Sequence, residues 1–208
     1  MEHTRQKILE VSLALFSVHG FSAVSVRDIC KEVGIKESSL YYHFQNKRAI
    51  LDELLHRFEA IAEEQMARLE QALAGQGALP VASGLETVSA CFFEEYWMDD
   101  FCNKMLRLLQ IEQHHSADMQ HLYLRWMFEE PLQFQSSVFG RLKELGAVSE
   151  EDERYLAVQY YAPICLFAQR WLLSGALSEE GKRAFREAAY GHIRAFCRSM
   201  GGAAWPIS

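Results

Sequence analysis

The amino-acid sequence predicts an all-α protein with a small N-terminal domain of three helices and a larger helical domain after it. Apolar residues recur at intervals of three and four positions, which is the spacing along one face of a helix. No alternating apolar and polar pattern typical of strands persists beyond residue 80. Glycines and prolines interrupt the helical patterns, so they divide the chain into separate helices.

The composition is that of a folded globular protein. The chain has 208 residues, half of them apolar, which is enough for one or two hydrophobic cores. No stretch reaches the roughly 18 apolar residues that a membrane helix needs, and the N-terminus lacks the apolar run of a signal peptide. We therefore expect a cytoplasmic protein with no membrane partner. The five cysteines are widely spaced in apolar surroundings, which predicts small buried hydrophobes and no disulfide framework.

The charge of the chain is unevenly distributed. The formal net charge of −7 argues against nonspecific binding of polyanions by the whole molecule. Residues 1–50, however, hold seven Lys or Arg against five Asp or Glu, about +2, which leaves fourteen against twenty-three, about −9, for the remainder. A mildly basic N-terminal segment followed by an acidic remainder is typical of a DNA-binding module attached to a domain that does not bind DNA.

Two helices and a tight turn are predicted at the start of the chain. Residues 4–19 form one helical stripe that ends before a glycine. Ser25 is placed to be the N-cap of a second helix over residues 26–33, with Asp28 completing an imperfect capping box. Gly34 then supplies the positive φ angle that a tight turn after a helix requires.

A third helix over residues 37–44 follows this turn. It is too short to be stable alone, so Leu40 and Phe44 must hold it by packing beneath it. Its outer face is then available to contact bases or phosphates, and Tyr41 adds an aromatic ring with a hydroxyl group for a phosphate oxygen. The polar and aromatic residues of that face are Lys36, Glu37, Ser38, Ser39, Tyr42 and His43. Two short helices joined by a turn in this way are the layout of a DNA-reading helix-turn-helix.

This stretch resembles the signature of the tetracycline-repressor (TetR) family of bacterial regulators. The resemblance covers about residues 4–55 and depends on a capped helix, a glycine turn and the recognition helix Leu40-Tyr41-Tyr42-His43-Phe44. Outside the motif itself, the matching positions are Phe16, Gly20, Phe21, Lys47 and Leu51. Three residues depart from the family pattern: Cys30 for alanine, Lys36 at the usual small N-cap position and Ser38 where glycine is common.

The resemblance implies a ligand-responsive transcriptional regulator, a repressor that binds a palindromic operator as a homodimer. It would be released when a small, largely hydrophobic molecule binds the C-terminal domain. Ser25, Tyr41, His43 and Lys47 would then hold DNA phosphates. Base discrimination would come mainly from Lys36, Glu37, Ser38, Ser39 and Tyr42. Because the departures at Lys36 and Ser38 lie among these residues, the operator sequence cannot be taken from the family.

A fourth, long helix is predicted over residues 46–73. Its 28 residues would span about 42 Å, which is long enough to bridge two domains. The resemblance implies that it is the connector between the DNA-binding domain and the ligand-binding domain. Gly75, Gly77 and Pro80 mark a loop after it. We therefore divide the chain into a DNA-binding domain (1–47), a connector helix and loop (48–79) and a ligand-binding and dimerisation domain (80–208).

The last domain is predicted to contain five helices with an apolar ligand cavity among them. Helical patterns cover residues 81–98, 101–114, 117–145, 150–174 and 178–200. Aromatic side chains occur on nearly every helix; most of them must be core, but helices rich in aromatics also build ligand cavities. The candidates for the lining are Met66, Phe92, Tyr96, Met105, Leu109, Tyr123, Trp126, Tyr161 and Cys165.

The last two helices are apolar on more than one face, so they must be buried on more than one face. The resemblance implies that the two helices of each subunit form a four-helix bundle in a homodimer. Such a dimer places two recognition helices roughly 34 to 36 Å apart, one turn of B-DNA. The candidates for the interface are Phe167, Trp171, Phe185, Ala189, His192 and Phe196.

Three other functions are considered from the sequence: a metal site, an enzyme and a ligand-binding protein. Glu112 with His115, and Asp118 with His121, have the spacing by which a helix presents a carboxylate and an imidazole to iron or manganese. Exposed His beside Asp or Glu is common, however, so we expect neither a metal nor another cofactor. No G-x-S-x-G elbow, P-loop or dinucleotide fingerprint is present, which argues against an enzyme although a Cys and His pair could meet in space. The third alternative is a small-molecule or lipid binding protein that does not bind a specific operator.

Overall fold

The computed structural model describes residues 2–75, 81–144 and 152–200, and within these ranges it is helical without strands. The predicted loop at Gly77 and Pro80 lies outside them, whereas Gly75, which was predicted to belong to that loop, is the last residue of the preceding helix. The helices are α1 (Glu2–His19), α2 (Val26–Val33), α3 (Glu37–His43), α4 (Lys47–Gly75), α5 (Val81–Phe92), α6 (Asp100–Glu112), α7 (Ala117–Leu124), α8 (Glu130–Glu144), α9 (Glu153–Ala168) and α10 (Glu179–Met200). The predicted all-α fold is therefore confirmed.

Three segments are wider than an α-helix. Residues Phe93–Trp97, Arg125–Glu129 and Gln169–Leu173 form π-helical turns at the ends of α5, α7 and α9. The sequence pattern extended each of these helices without a change in winding, because a π turn adds only one residue to the helical repeat. Consecutive large residues are buried in these turns, among them Tyr96 with Trp97 and Leu172 with Leu173.

The predicted caps of the first helices are present. Gly20 and Gly34 both have φ near 82°, in the left-handed region. The capping box of α2 is complete, because the Ser25 side chain accepts from the Asp28 amide and the Asp28 carboxylate accepts from the Ser25 amide. Leu40 is fully buried and Phe44 is buried beneath α3, which confirms how so short a helix is held.

Two compact units form within the described chain. The first contains residues 1–62 and 104–124, and the second contains residues 63–103 and 125–208. Thus α4 and α6 each contribute residues to both units. The functional boundaries predicted at residues 47 and 79 stay a prediction.

The second unit has an aromatic core, and a buried side-chain amide forms hydrogen bonds with two of its π turns. Trp97 is fully buried and stacks on Phe185 with 6.4 Å between ring centres. The Asn103 amide donates to the carbonyl oxygens of Trp97 (3.2 Å) and Leu172 (3.0 Å), which lie in two different π turns. A π turn shifts carbonyls away from their α-helical partners, so donors from neighbouring helices satisfy them.

The cysteines are all free thiols, but they are not all buried as predicted. Cys30, Cys102 and Cys197 are buried and Cys165 is partly buried, whereas Cys91 is exposed on α5. The apolar neighbours of Cys91 in sequence point to other sides of the helix, because successive helical residues are about 100° apart. None of the described helices is both long and apolar enough to cross a membrane.

Replacing Leu40 with alanine should destabilise the protein by about 2–5 kcal/mol, because it removes a fully buried side chain from beneath α3. The control is Tyr42→Ala on the exposed face of the same helix, which should change the free energy of unfolding by less than about 1 kcal/mol. Urea unfolding of the two variants makes the comparison. Equal losses would contradict the packing role of Leu40.

Candidate nucleic-acid interface and effector-binding residues

The outer face of α3 is exposed as a set of polar and aromatic side chains. Tyr42 is 71% exposed and Tyr41 is 50% exposed, and the His43 ring lies edge-on to Tyr42 with 5.1 Å between ring centres. The exposed polar residues at the start of this helix are Lys36, Glu37, Ser38 and Ser39. This arrangement presents hydrogen-bond donors and acceptors that can reach base edges in a major groove.

An ion pair between α2 and α3 was not predicted from the sequence. Arg27, an exposed residue of α2, lies 3.5 Å from the Glu37 carboxylate. An exposed pair of this kind contributes little to stability, but it keeps a positive charge beside an acidic group that would otherwise repel phosphates. The spacing of ten residues across the glycine turn gave no helical pattern from which the pair could be found.

Ser25 is engaged locally. Its hydroxyl group donates to the Asp28 carboxylate as well as accepting from the Asp28 amide. The hydroxyl and amide groups of Ser25 both donate to the Asp28 carboxylate, and these two hydrogen bonds are the main reason that the pKa of Asp28 is lowered. A phosphate contact at Ser25 would therefore use the exposed side of a residue that already serves as a helix cap.

Lys47 is directed to the main chain of the connection between α1 and α2. Its ammonium group donates to the carbonyl oxygens of Phe21 (2.7 Å) and Val24 (2.6 Å) and lies 4.2 Å from the centre of the Phe21 ring. Desolvation lowers the pKa of Lys47, and the Glu112 carboxylate partly offsets this. Two of the three ammonium hydrogens are used in this way, so a phosphate contact would depend on the third.

The sequence of this domain matches a known family. Residues 8–54 match the model of the bacterial regulatory proteins of the tetR family, a range that includes α2, the glycine turn and α3. The resemblance of this segment to the TetR family is therefore confirmed. The protein is a DNA-binding transcriptional regulator, as the sequence resemblance implied.

The likeness of this regulator to known proteins extends over most of the chain. IcaR of Staphylococcus aureus strain Newman, a negative transcriptional regulator of the biofilm operon icaADBC, is 22% identical over 93% of this chain and 99% of its own length. The transcriptional repressor KstR2 of Rhodococcus jostii RHA1 is 28% identical over 82% of this chain and 80% of its own length.

Solved structures share the fold of this regulator. The ketosteroid regulator KstR2 of Mycobacterium tuberculosis superimposes with a TM-score of 0.65 at 21% identity, over 92% of this chain and 93% of that one. SmeT, the repressor of a Stenotrophomonas maltophilia multidrug efflux pump, superimposes with a TM-score of 0.59 at 23% identity, over 92% and 89% of the two chains. At these identities the likeness shows the fold.

Six of the nine predicted ligand-binding residues belong to the second unit. Phe92 and Tyr96 stack with 5.1 Å between ring centres, and the Tyr96 hydroxyl donates to the Trp126 carbonyl oxygen at 3.1 Å. The Tyr161 hydroxyl donates to the Met127 carbonyl oxygen at 2.9 Å. Met66 is partly buried, and burial raises the pKa of Cys165 to about 12.

The other three predicted ligand-binding residues, Met105, Leu109 and Tyr123, are buried in the first unit. An open cleft of about 810 Å³ in the second unit involves none of the nine. Most of the residues that line it have polar or charged side chains: Glu70, Gln133, Ser136, Ser137, Gly140, Arg141, Glu144 and Glu153. The predicted lining therefore stays a prediction.

The residues predicted for the dimer interface differ in how exposed they are. Phe167, Trp171 and His192 are partly exposed, and the His192 Nε2 atom lies 2.9 Å from the Tyr160 carbonyl oxygen. Phe185 and Ala189 are fully buried within the protomer, where Phe185 packs on Trp97. These two residues have no surface left for a partner subunit, so they are corrected to core residues.

Phe196, the remaining predicted interface residue, is 7% exposed and packs edge-on against Phe139 and Tyr160. It too is chiefly a core residue. Apolar periodicity indicated correctly that this face of α10 is buried, but the burial is against the same chain.

The carboxylate and histidine pairs do not form a metal cluster within the described residues. His115, Asp118 and His121 are exposed, whereas Glu112 is buried and bonded to the main chain of Phe21. Glu112 and His115 therefore lie in different surroundings, whereas Asp118 and His121 are both exposed at the surface.

Replacing Lys47 with methionine should destabilise the protein by about 1–2 kcal/mol, because two partly buried carbonyl oxygens lose their donor. Arg48→Met is the matched control: Arg48 is exposed and pairs with Asp52 one turn away, so the loss should be below about 0.5 kcal/mol. Thermal and urea unfolding measure both. An unchanged Lys47→Met variant would show that these two bonds do not stabilise the domain.

Proposed function

We propose that this regulator represses transcription by binding a palindromic operator as a homodimer and is released when a small, largely hydrophobic molecule binds its C-terminal domain. The exposed face of α3, held on buried Leu40 and Phe44, is the observation that carries the proposal. A helix presented in this way enters a major groove and contacts base edges.

The charge distribution supports specific over nonspecific DNA binding. Only the first 50 residues are net basic, at about +2, while the rest of the chain repels a polyanion. Ser25, Tyr41, His43 and Lys47 are proposed to contact phosphates. Lys36, Glu37, Ser38, Ser39 and Tyr42 are proposed to read the bases, and Arg27 is added as the partner of Glu37.

An apolar stripe on α9 supports the homodimer. Tyr155, Val158, Ala162 and Leu166 are exposed at intervals of three, four and four residues, so they lie along one face of the helix. Partly exposed Phe167, Trp171 and His192 extend this set. A two-fold axis through such a face repeats each contact and makes the bound DNA site palindromic.

The sign of regulation is proposed from the relatives. IcaR is a negative regulator and KstR2 is a repressor, and each aligns with most of this chain. A dimer that occupies its operator excludes other proteins from the same DNA, so repression needs no further activity from this chain.

The effector is proposed to be largely hydrophobic, because six of the predicted residues add aromatic, methionine and cysteine side chains to the second unit: Met66, Phe92, Tyr96, Trp126, Tyr161 and Cys165. Met105, Leu109 and Tyr123 remain predicted contributors. To release DNA, the effector must bind the two conformations of the protein unequally, by several kcal/mol for a decisive switch.

The alternative is a ligand-binding protein whose helix-turn-helix is only a packing module. It is not favoured, because the matched family domain contains the DNA-reading elements and their polar side chains are exposed.

Replacing Tyr42 with alanine should weaken binding to the operator about 10- to 100-fold and leave binding to random DNA nearly unchanged. The operator is obtained by selecting duplexes from a random library with the wild-type protein, and affinities are measured by fluorescence anisotropy at fixed salt. Tyr42→Phe is the matched control, since it keeps the ring and removes only the hydroxyl. Equal losses on operator and random DNA would remove Tyr42 from the base-reading set.

Replacing Leu166 with glutamate should raise the dissociation constant of the dimer at least about 10-fold, because a charge would be placed in an apolar interface. Leu124→Glu is the control: Leu124 is a leucine of α7 in the first unit and is 40% exposed, whereas Leu166 is 64% exposed. Sedimentation velocity over a concentration series distinguishes the two. A Leu166→Glu protein that dimerises like the wild type would exclude this face of α9.

A further inference from the structure

A buried carboxylate lies against the DNA-binding helices although it is distant from them in sequence. Glu112 is the last residue of α6 and is only 5% exposed. Its Oε1 atom accepts a hydrogen bond of 2.8 Å from the Phe21 amide, which lies 91 positions earlier in the chain. Both residues belong to the first compact unit. Burying an ionised carboxylate is expensive unless it is paired, so its position calls for a function.

The carbonyl group of the same residue, Phe21, is held by a cation. Lys47 donates to the carbonyl oxygen of Phe21 at 2.7 Å, while Glu112 accepts from its amide. The Glu112 charge also raises the pKa of Lys47 against the lowering caused by desolvation. Phe21 is therefore fixed between an acid from α6 and a base from α4, each bonded to one of its two main-chain polar groups.

The approach of α6 at this point is too close for a side chain. Gly20 precedes Phe21 and has φ near 82°. A Cβ atom on Gly20 would lie 2.8 Å from the Glu112 Oε1 atom and 3.0 Å from the Ile111 side chain. Gly34 has the same φ, but a Cβ atom there would meet nothing within 4 Å. A side chain at position 20 would therefore displace the Glu112 carboxylate from its hydrogen bond, in addition to straining the backbone angle.

Phe21 lies in the connection that leads directly into the DNA-binding elements. Phe21 is four residues before Ser25, the N-cap of α2, and Lys47 donates to the carbonyl oxygen of Val24 in the same connection. Ser25 and Lys47 are two of the proposed phosphate contacts. A displacement of the Glu112 carboxylate would therefore move the segment that sets where both of them lie.

We propose that Glu112 is a positioning residue for operator binding, which fixes the connection between α1 and α2 through the Phe21 amide. The inference rests on the proposed function as an operator-binding protein. It adds a residue outside the helix-turn-helix to those that determine the affinity for DNA.

The sign of the expected effect separates positioning from simple electrostatics. Removing a negative charge from a DNA-binding unit should by itself strengthen binding to a polyanion. If Glu112 positions the DNA contacts, its removal should weaken binding instead. Asp118→Ala is the matched control, because it removes the same charge from an exposed position in the same unit.

The first experiment measures the affinity of full-length variants for a duplex selected from a random library by the wild-type protein. Glu112→Ala should weaken binding on the order of 10-fold, which is the effect of losing a charged hydrogen bond. Glu112→Gln retains an acceptor oxygen for the Phe21 amide, so it should stay within about 3-fold of the wild type. Asp118→Ala should bind as tightly as the wild type or more tightly.

The second experiment tests the contact itself without DNA. Gly20→Ala should lower the unfolding midpoint more than Gly34→Ala, since both strain the backbone but only the first meets Glu112. In the background of Glu112→Ala, the extra loss at position 20 should shrink, because the clashing carboxylate is gone. Such non-additivity is the mark of two residues in contact.

The outcomes separate the inference from the function on which it rests. If the wild-type protein selects no duplex, the proposed function fails and the role of Glu112 fails with it. If the wild type binds and folded Glu112→Ala binds equally well, only the positioning role is overturned. Strictly additive losses at positions 20 and 112, or a Glu112→Gln variant as weak as Glu112→Ala, would also overturn it.

Discussion

The DNA-binding function depends on the burial of Leu40 and Phe44 beneath a helix of seven residues. A helix of that length is not stable in water, so its conformation comes from the contacts below it and from the turn before it. The same constraint frees its outer face: once two side chains hold the helix, the others need contribute nothing to stability. Exposed tyrosines and polar residues can then vary with the DNA sequence to be read, while the fold stays the same.

Features determined within a few residues could be predicted from the sequence. The capping pair of Ser25 and Asp28, the glycine turn and the ends of most helices depend on local hydrogen bonds and backbone angles. The capping box proved complete, although aspartate stands where glutamate is usual. The family signature is also a local pattern, which is why the class of protein followed from about 50 residues.

Features that depend on which surfaces meet could not be predicted. Periodicity indicated that Phe185 and Ala189 are buried, but it could not distinguish the core of the same chain from a partner subunit. The bond between Glu112 and Phe21 joins residues 91 positions apart, and no spacing rule connects them. Glu112 instead suggested a metal ligand, because its neighbours in sequence include histidines that the fold leaves exposed.

The three π turns give the second unit a way to change its interior without changing its helices. Each turn holds one residue more than an α-helical turn, so a single insertion or deletion there is absorbed as a change in winding. One residue corresponds to a rotation of about 100°, so such a change would bring different side chains to face the aromatic core. A difference of one residue in length can therefore change which side chains face the aromatic core, while the order of the helices stays the same.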